Sequence, residues 1–471
     1  MLALNKLSHN EKTYWLLFAI AAVSFVPTLF FYYVGEEGIF PMVSQEMWER
    51  GVWLKQYMYG GDMQHNPLFN WMIMPLSALL GWEHVLLVIR TLTIASTLVT
   101  ALTLAWLAGR LFQDKMFGIF AALGYLTMTD VLLYHGWLSY VDPNYAMFIF
   151  GATATLWVAA REQRLSLLVL SGALINCAFL SKALTAYIFY GGVLFVLLFE
   201  AQQRRFLLHW RTLPILLLTY AGPLIWYASI PDGMAQGKRM FAELTHKFIN
   251  PSLSEYLARL IGFPIEVLSW LAPVTLLALY LWLRKRNQKE SSATHQLLFI
   301  SACWMFLLNF LPYWISPRGG MRYLMPIYPL LALVAARIIW QSGEAALALA
   351  RKWIVAALVL KFVVALVLFP YYQSHVRGKN YYETAIDILT LTQGQALYAG
   401  NSTSAGLCVT AYLNQQRVPA PALRYPPPQW TSGFVLTLTP DEELGKVFKK
   451  YTLGGDEMYL LCRGIACDKP H

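Results

Sequence analysis

Long apolar runs recur along this chain, and they constrain its fold more than any other feature. A helix needs about twenty apolar residues to cross a bilayer. The runs that approach this length are 14–34, 85–108, 116–133, 141–160, 166–181, 183–199, 212–229, 264–283, 297–314, 323–341 and 352–370. Because hydrocarbon offers no partner to backbone polar groups, each run is expected to be helical. The sequence therefore predicts an α-helical polytopic membrane protein with about eleven transmembrane helices.

Composition excludes an ordinary soluble protein. Of the 471 residues, 57% are hydrophobic and 13% are charged. Soluble domains contain about 45–50% apolar and about 25% charged residues. One further apolar run, 67–80, is short and contains Pro67 and Pro75. We therefore interpret it as an interfacial or re-entrant helix rather than a span.

The Lys and Arg residues predict the orientation, because cytoplasmic loops of membrane proteins are rich in both. If Lys6 and Lys12 are cytoplasmic, every second loop is cytoplasmic too, and these loops are the richer in basic residues. They carry Arg110, Lys115, Arg161, Arg164, Arg204, Arg205, Arg211, Arg284, Lys285, Arg286, Lys289, Arg351 and Lys352. The net charge of +10 is thus mostly a topology signal. The sequence shows no basic patch on a soluble face, so a nucleic-acid partner is not expected.

The segments on the side opposite the N-terminus are uneven in length. A membrane domain over 1–370 has two long outer loops, 35–84 and 231–262. An odd number of spans places the tail, 371–471, on the same outer side. The tail contains strand-like pieces such as Gly433–Thr439, bounded by Gly and Pro. It is therefore predicted to be a small α/β domain outside the cytoplasm.

Several familiar catalytic motifs are missing from the sequence. It contains no Walker-type phosphate loop, no nucleophile elbow and no His-Glu-x-x-His pair. If the protein is a transferase, its donor is therefore not expected to bind to a nucleotide-binding fold within this chain. Cys462 and Cys467 lie in the tail, where an oxidising compartment permits a disulfide. The sequence leaves open whether that disulfide forms.

Two acidic residues follow the first apolar run directly. Glu36 and Glu37 stand in Gly35-Glu-Glu-Gly38, where the first helix would leave the membrane. Carboxylates at that depth are costly, so they are candidates for a functional role.

Further polar residues mark the outer ends of later spans. Asp142 begins the fourth span and could equally cap that helix. Lys182 lies between two spans and could equally snorkel towards the lipid headgroups. Arg318 and Arg322 flank a glycine pair and suit a phosphate, although a lipid headgroup without a catalytic role would satisfy them too.

Acids, a lysine and arginines on one face suit transfer from an anionic, lipid-linked donor. The leaving phosphate needs cations, and the acceptor hydroxyl needs a base or an orienting carboxylate. Arg90 and Asp130 also lie near outer helix ends, and we predict structural roles for both.

Several segments together resemble a known family. The chain resembles the C-type (GT-C) glycosyltransferases of the protein O-mannosyltransferase and aminoarabinose (lipid A) transferase superfamily. The resemblance covers about residues 12–370. It rests on the order of segments Gly35–Phe40, Glu46-Met47, Gly51–Trp53, His65–Trp71, Val141–Pro143, Leu180–Ala183 and Ser316–Pro329.

The resemblance implies a GT-C fold with juxtamembrane helices in the first outer loop. It implies an inverting enzyme that uses a sugar carried on polyprenyl (undecaprenyl) phosphate at the outer face of the bacterial inner membrane. The expected acceptor is an envelope glycolipid, such as lipid A, or another glycan. A transporter or flippase for lipid-linked sugars, or a non-catalytic subunit that binds lipid-linked glycan, remains an alternative.

The resemblance also assigns roles by position. Glu36 takes the place of the family's first-loop catalytic aspartate, with Glu37 beside it, and Asp142 takes the place of the second essential aspartate. The residues expected at the donor phosphate are Lys182, Arg318, Arg322 and Asn66, the last standing where the family has a lysine.

A metal site is a weaker implication of the same resemblance. His65 and His246 stand at positions similar to metal-binding positions of aminoarabinose transferases, and two His could contribute to a zinc site. Two ligands are too few by themselves, and hydrogen-bonded loop histidines are the alternative. No cofactor is otherwise expected.

Overall fold

A computed structural model describes residues 9–63, 65–246, 253–284, 292–316, 320–400 and 404–468. Most of these residues are helical, as predicted. The α-helices of the described residues are α1 (His9–Val23), α2 (Ile39–Arg50), α3 (Leu68–Leu80), α4 (Val85–Leu111), α5 (Lys115–Leu126), α6 (Asp142–Glu162), α7 (Leu165–Ser181), α8 (Ala186–Leu197), α9 (Ala201–Leu207), α10 (Leu213–Ser229), α11 (Gly233–His246), α12 (Leu253–Trp270), α13 (Val274–Arg284), α14 (Ala293–Ile315), α15 (Tyr328–Gln341), α16 (Glu344–Val363), α17 (Phe369–His375), α18 (Lys379–Leu391) and α19 (Ser404–Gln416).

Short helical turns and strands complete the described elements. The 3₁₀ turns are Val26–Phe30, Trp82–His84, Met321–Ile327 and Gly464–Asp468, and the π turns are Asp130–Tyr134 and Val364–Leu368. The strands are β1 (Tyr57–Met58), β2 (Gly61–Asp62), β3 (Leu397–Ala399), β4 (Gly433–Thr437), β5 (Lys446–Leu453) and β6 (Asp456–Arg463).

The helices confirm a polytopic membrane protein. Within the described residues, five helical stretches are long and apolar enough to cross a bilayer, or six if one bent pair counts as a span. They are Glu11–Phe30, Trp82–Leu111, Ala293–Ile315, Met321–Gln341 and Glu344–His375. Shorter apolar helices occupy several other predicted runs, α3, α5, α7, α8 and α10. The count of about eleven transmembrane helices stays a prediction.

The apolar run 264–283 is not the single straight helix that its length predicts. Helices α12 and α13 meet at an angle of 110°. The break includes Pro273, which has no N–H to continue the helix ladder. The carbonyl of Ala272, which lies at the break, accepts the backbone N–H of Thr129 at 2.9 Å and its hydroxyl at 3.1 Å. The break is therefore stabilised by a neighbouring segment.

The chain divides into two compact units with interleaved boundaries. The first, which we call the helical unit, comprises Met1–Val26, Thr93–Trp137 and Val141–Phe362. The second, which we call the mixed unit, comprises Pro27–Leu92, Leu138–Tyr140 and Val363–His471. The predicted first outer loop and the predicted tail therefore belong to one compact unit.

Within the helical unit, α6 packs along α7. Almost the whole length of α6 is buried, and it is rich in small residues that allow close approach. The hydroxyl of Ser171 on α7 donates to the carbonyl of Ala152 on α6 at 2.7 Å. Because the two helices are antiparallel neighbours joined by a short turn, the start of α6 lies beside the end of α7.

The mixed unit contains the small α/β structure expected of the tail. Its four-stranded sheet has the order β3-β4-β6-β5, with β3 and β4 parallel and the other pairs antiparallel. All five residues of β4 are buried. Leu407 and Leu413 of α19 belong to the same apolar core as Phe434 and Leu460 of the sheet. Cys462 and Cys467 form a disulfide, which answers the question that the sequence left open.

The first loop packs against the tail inside the mixed unit. The hydroxyl of Tyr412 accepts the N–H of Tyr33 at 3.0 Å. The thiol of Cys408 donates to the carbonyl of Gly35 at 3.2 Å, and burial raises the pKa of that thiol well above its usual value. These contacts hold the loop that carries the two glutamates against α19.

Candidate functional site

An acidic and a basic side chain form an ion pair where α6 begins and α7 ends. Asp142 is the first residue of α6, and Lys182 directly follows α7. The ammonium of Lys182 donates to Oδ1 of Asp142. Asp142 is 4% exposed, and the Lys182 side chain is 16% exposed. In this structure Lys182 therefore pairs with an acid rather than extending towards headgroups, and the Asp142 carboxylate holds that lysine.

Two tyrosine rings face the same ammonium. Lys182 Nζ lies 4.9 Å from the ring centroid of Tyr323 and 5.7 Å from that of Tyr145. Both distances suit a cation–π interaction. The Tyr145 hydroxyl lies 2.7 Å from Oγ1 of Thr185, which fixes the ring. The positive charge is thus oriented by one carboxylate and two ring faces.

A row of buried polar groups supports this pair. Ser181, next to Lys182, donates its hydroxyl to Oδ1 of Asn144 at 3.0 Å. Asn144 in turn donates to Oγ of Ser96 at 3.3 Å. These three residues are almost completely buried. Buried polar groups that satisfy each other specify one arrangement, so the spacing between the start of α6 and the end of α7 is fixed.

Of the two arginines predicted at the phosphate, the structure describes Arg322 but not Arg318. Arg322 lies in the 3₁₀ turn Met321–Ile327, and its guanidinium carbon is 5.4 Å from the ring centroid of Tyr323. Arg322 and Lys182 therefore share a tyrosine neighbour, and the place of Arg322 at the phosphate stays a prediction. Arg318 lies outside the described residues, so its place at the phosphate stays a prediction.

An apolar groove runs between α7 and α10 in the helical unit. Its volume is about 530 Å³, and its lining includes Ala173, Leu180, Leu218 and Ile225. This volume is within the usual range of small-molecule sites. Leu180 is two residues before Lys182, so the groove reaches the end of α7 that carries the ammonium.

In the mixed unit, Glu37 is completely buried and fully hydrogen-bonded. It forms a two-pronged ion pair with Arg90, at 2.9 Å to Nε and 2.5 Å to Nη2. Its oxygens also accept the backbone N–H groups of Val34 at 2.8 Å and Ser139 at 2.7 Å. Arg90 has the structural role that the sequence predicts. The contacts of Glu37 favour a role in shaping its loop.

Glu36 is placed differently from its neighbour. It is half-buried, whereas Glu37 has no exposed surface. The backbone N–H of Glu36 donates to the Tyr140 hydroxyl at 3.0 Å, and its carbonyl accepts the N–H of Ile39 at 3.2 Å. The loop is thus held through its backbone, and of the two glutamates Glu36 is the more accessible.

We expect Gly35→Ala to destabilise the mixed unit more than Gly51→Ala. Both glycines have left-handed backbones, with φ of +58° and +66°, and a side chain there costs about 1–2 kcal/mol. A Cβ at Gly35 would also lie 2.6 Å from the Tyr140 hydroxyl, whereas nothing lies within 4 Å of a Cβ at Gly51. Thermal unfolding of the detergent-solubilised variants checks this. Equal losses would show that the Tyr140 contact yields without cost.

Asn66 lies in a buried polar cluster of the mixed unit. The side-chain amide of Gln56 donates to the carbonyl of Asn66 at 3.1 Å and to Oδ1 of Asn70 at 2.5 Å. Asn70 donates to the Ser44 hydroxyl at 2.8 Å. Asn66 has no exposed surface, so this segment is fixed, and a role for Asn66 at the phosphate stays a prediction.

The described residues contain no group of three or more His, Cys, Asp or Glu that could hold a metal ion. His65 is half-buried. His246 ends α11, but its side chain is not among those described. The zinc interpretation of this pair therefore gains no support in the described part of the chain.

Comparison with known proteins agrees with this architecture. Residues 64–226 match the family model described as dolichyl-phosphate-mannose-protein mannosyltransferase. The crystal structure of ArnT from Cupriavidus metallidurans bound to undecaprenyl phosphate superposes with a TM-score of 0.70. The match covers 97% of this chain and 99% of that one, at 16% sequence identity. The chain therefore has the fold of that crystal structure.

Other similar proteins are more distant or match a shorter segment. The Archaeoglobus fulgidus oligosaccharyltransferase in complex with Zn and sulfate has a TM-score of 0.53 at 13% identity, over 89% of this chain and 67% of that one. The undecaprenyl phosphate-alpha-4-amino-4-deoxy-L-arabinose arabinosyl transferase of Enterobacter sp. (strain 638) is 27% identical over 129 residues. That segment is 27% of this chain and 23% of the relative, so the chain matches about a quarter of that protein's length.

Sequence reasoning missed the two tyrosines beside Lys182. Tyr145 lies three residues after Asp142 on α6, a spacing that puts both on one helix face. That signal is available in the sequence once the helix is assumed. Tyr323 follows Arg322, but its approach to Lys182 depends on how the 3₁₀ turn packs. No local pattern predicts that approach.

Proposed function

We propose that this protein is an inverting glycosyltransferase. It moves a sugar from polyprenyl phosphate to an envelope glycolipid or glycan at the outer face of the inner membrane. The observation that carries the proposal is the Lys182 ammonium, held by Asp142 beneath two tyrosine rings at the end of a membrane helix. The names of the matched family and relatives, which specify dolichyl or undecaprenyl phosphate, support the same donor class.

The reaction is a single displacement. A bond forms between an acceptor oxygen and the anomeric carbon, while the bond from that carbon to the phosphate oxygen breaks. Polyprenyl phosphate leaves with the bonding electrons, and Lys182 and Arg322 stabilise its growing negative charge. Glu36 orients the acceptor and takes its proton when the acceptor is a hydroxyl. Asp142 holds Lys182 in place, and Glu37 shapes the loop that carries Glu36.

The lipid part of the donor has a matching surface. The groove between α7 and α10 is apolar and reaches Leu180, close in sequence to Lys182. A polyprenyl chain is apolar and its phosphate is anionic. We therefore propose that the polyprenyl chain lies in this groove and that its phosphate binds at Lys182. The proposed orientation of the protein has its N-terminus in the cytoplasm and its tail in the periplasm.

A mass-spectrometric transfer assay tests the proposed function. Purified protein in lipid is mixed with a panel of undecaprenyl-phosphate sugars and envelope glycolipids, with Glu36→Gln alongside. The expected result is a sugar-sized mass gain on one acceptor that is lost in the variant. No product with any donor, together with movement of lipid-linked sugar across vesicles, would indicate a flippase. Undecaprenyl phosphate binding without product or movement would indicate a non-catalytic subunit.

We expect Tyr323→Leu to raise the KM for the donor, whereas Tyr323→Phe changes it little. A cation–π interaction is worth about 0.5–2 kcal/mol, and Phe keeps the ring face over Lys182 while Leu removes it. Steady-state transfer at varied donor concentration gives the two KM values. A similar loss in both variants would instead assign the effect to the Tyr323 hydroxyl.

A further inference from the structure

We propose that Asp130 and Tyr328 are positioning residues for the phosphate site. Through them the helical unit fixes the turn Met321–Ile327, which carries Arg322 and Tyr323. The identity of the site rests on the proposed function. We call the hydrogen bonds from the Tyr328 hydroxyl to Asp130 and to the Met321 carbonyl the tether. The tether rests on contacts within the helical unit alone.

Asp130 is a buried acid with a partner on each oxygen. It has no exposed surface. Oδ1 lies 2.7 Å from Nδ1 of His135, and Oδ2 accepts the Tyr328 hydroxyl at 2.9 Å. The π turn Asp130–Tyr134 brings Asp130 and His135 together, because the N–H of His135 bonds the carbonyl of Asp130 five residues earlier, at 2.8 Å. Such π turns are frequent at functional sites.

The Tyr328 hydroxyl connects this acid to the turn. Besides facing Asp130, it lies 3.0 Å from the carbonyl of Met321, which also accepts from it. A hydroxyl has one proton, so that proton is shared between the carboxylate and the carbonyl. Met321 is thereby fixed at the point where the 3₁₀ turn begins.

The tethered residue is next to the residues that surround the lysine. Arg322 follows Met321 directly, and the Tyr323 ring comes next, 4.9 Å from Lys182 Nζ. A shift of Met321 would move both side chains relative to Lys182. The acid at the far end of the tether therefore helps to set the position of the turn that carries Arg322 and Tyr323.

Three variants distinguish this positioning role from a role in global stability alone. Tyr328→Phe removes the hydroxyl and cuts the tether. Asp130→Asn keeps an oxygen that accepts from Tyr328, so it is the conservative rescue. Tyr190→Phe is the matched control, because it removes another buried phenol of the helical unit, one whose hydroxyl lies 3.0 Å from Oγ of Ser171. A stabilising role would affect all three variants through global stability.

The first readout is hydrogen–deuterium exchange of the full-length protein in detergent. We expect Tyr328→Phe to speed exchange in 321–327 while α6 and α7 keep wild-type exchange. Asp130→Asn and Tyr190→Phe should leave exchange in 321–327 unchanged. Unchanged exchange in Tyr328→Phe, or faster exchange throughout the helical unit, would overturn the tether.

The second readout is binding of undecaprenyl phosphate by native mass spectrometry. Tyr328→Phe should bind between about twofold and thirtyfold more weakly, the range for residues that couple to a site from a distance. Asp130→Asn should stay within about twofold of wild type. Wild-type affinity in Tyr328→Phe would overturn the positioning role. Absence of binding to the wild-type protein would instead overturn the proposed donor, while the exchange result still decides the tether.

Discussion

Glu36→Gln is expected to lower the rate of sugar transfer by about 10²- to 10⁴-fold, the usual contribution of a general acid or base, and to leave the protein folded. Gln has the same size and keeps the backbone contacts of this residue with Tyr140 and Ile39. The substitution therefore removes the negative charge and keeps these two backbone hydrogen bonds of the loop. Single-turnover transfer measured by mass spectrometry gives the rate, and thermal unfolding reports the fold.

The matched control for this charge is Glu83→Gln in the same unit. The Glu83 side chain is 52% exposed, and it has no role in the proposed reaction. Its substitution should leave the rate unchanged. Full activity in Glu36→Gln would remove Glu36 from the mechanism and would redirect the search to the acids of the helical unit.

Arg90→Met is expected to destabilise the mixed unit by about 3–5 kcal/mol, because it leaves a buried carboxylate without its partner. Besides Glu37, the guanidinium donates to the carbonyls of Thr28 at 3.0 Å, Phe31 at 2.6 Å and Tyr32 at 2.9 Å. The substitution thus removes the charged partner of Glu37 and one hydrogen bond to each of three carbonyls. Thermal unfolding followed by size-exclusion chromatography measures the loss.

An exposed pair of the same chemistry provides the comparison. Arg110 and Glu162 form two short hydrogen bonds, at 2.5 Å and 2.7 Å, but their side chains are 36% and 29% exposed. Arg110→Met should therefore cost no more than about 1 kcal/mol. If Arg90→Met is no more damaging than Arg110→Met, burial does not set the strength of the Glu37 pair.

Adding Glu37→Gln to Arg90→Met should recover part of the loss. Gln carries no charge, so the second substitution removes the unpaired buried carboxylate. The backbone carbonyls stay without the guanidinium, which keeps the recovery incomplete. The size of the recovery separates the cost of the stranded charge from that of the carbonyls.

These experiments test whether Glu36 and Glu37 have different roles. Glu36 and Glu37 are adjacent and chemically identical, and the sequence makes both candidates for catalysis. Their surroundings differ because Glu37 meets Arg90, 53 residues later, and the N–H of Ser139, 102 residues later. No local pattern distinguishes them, since burial depends on contacts between distant segments.

The sequence by itself determined the membrane class, the helical character of each apolar run and the small α/β tail. These properties follow from local composition and periodicity, which act over about twenty residues or fewer. It also singled out Asp142 and Lys182, because ionisable residues at the outer ends of spans are costly and are therefore candidates for a functional role. The family resemblance supplied the roles expected of both.

Only the tertiary structure decided which of these residues act on each other. The pairing of Asp142 with Lys182 joins residues 40 apart, and the contact between Tyr328 and Asp130 joins residues 198 apart. The break between α12 and α13 is stabilised by Thr129, far away in the chain. The physical reason is the same in each case: a buried polar group requires a partner, and the packing of the helices decides which partner is within reach.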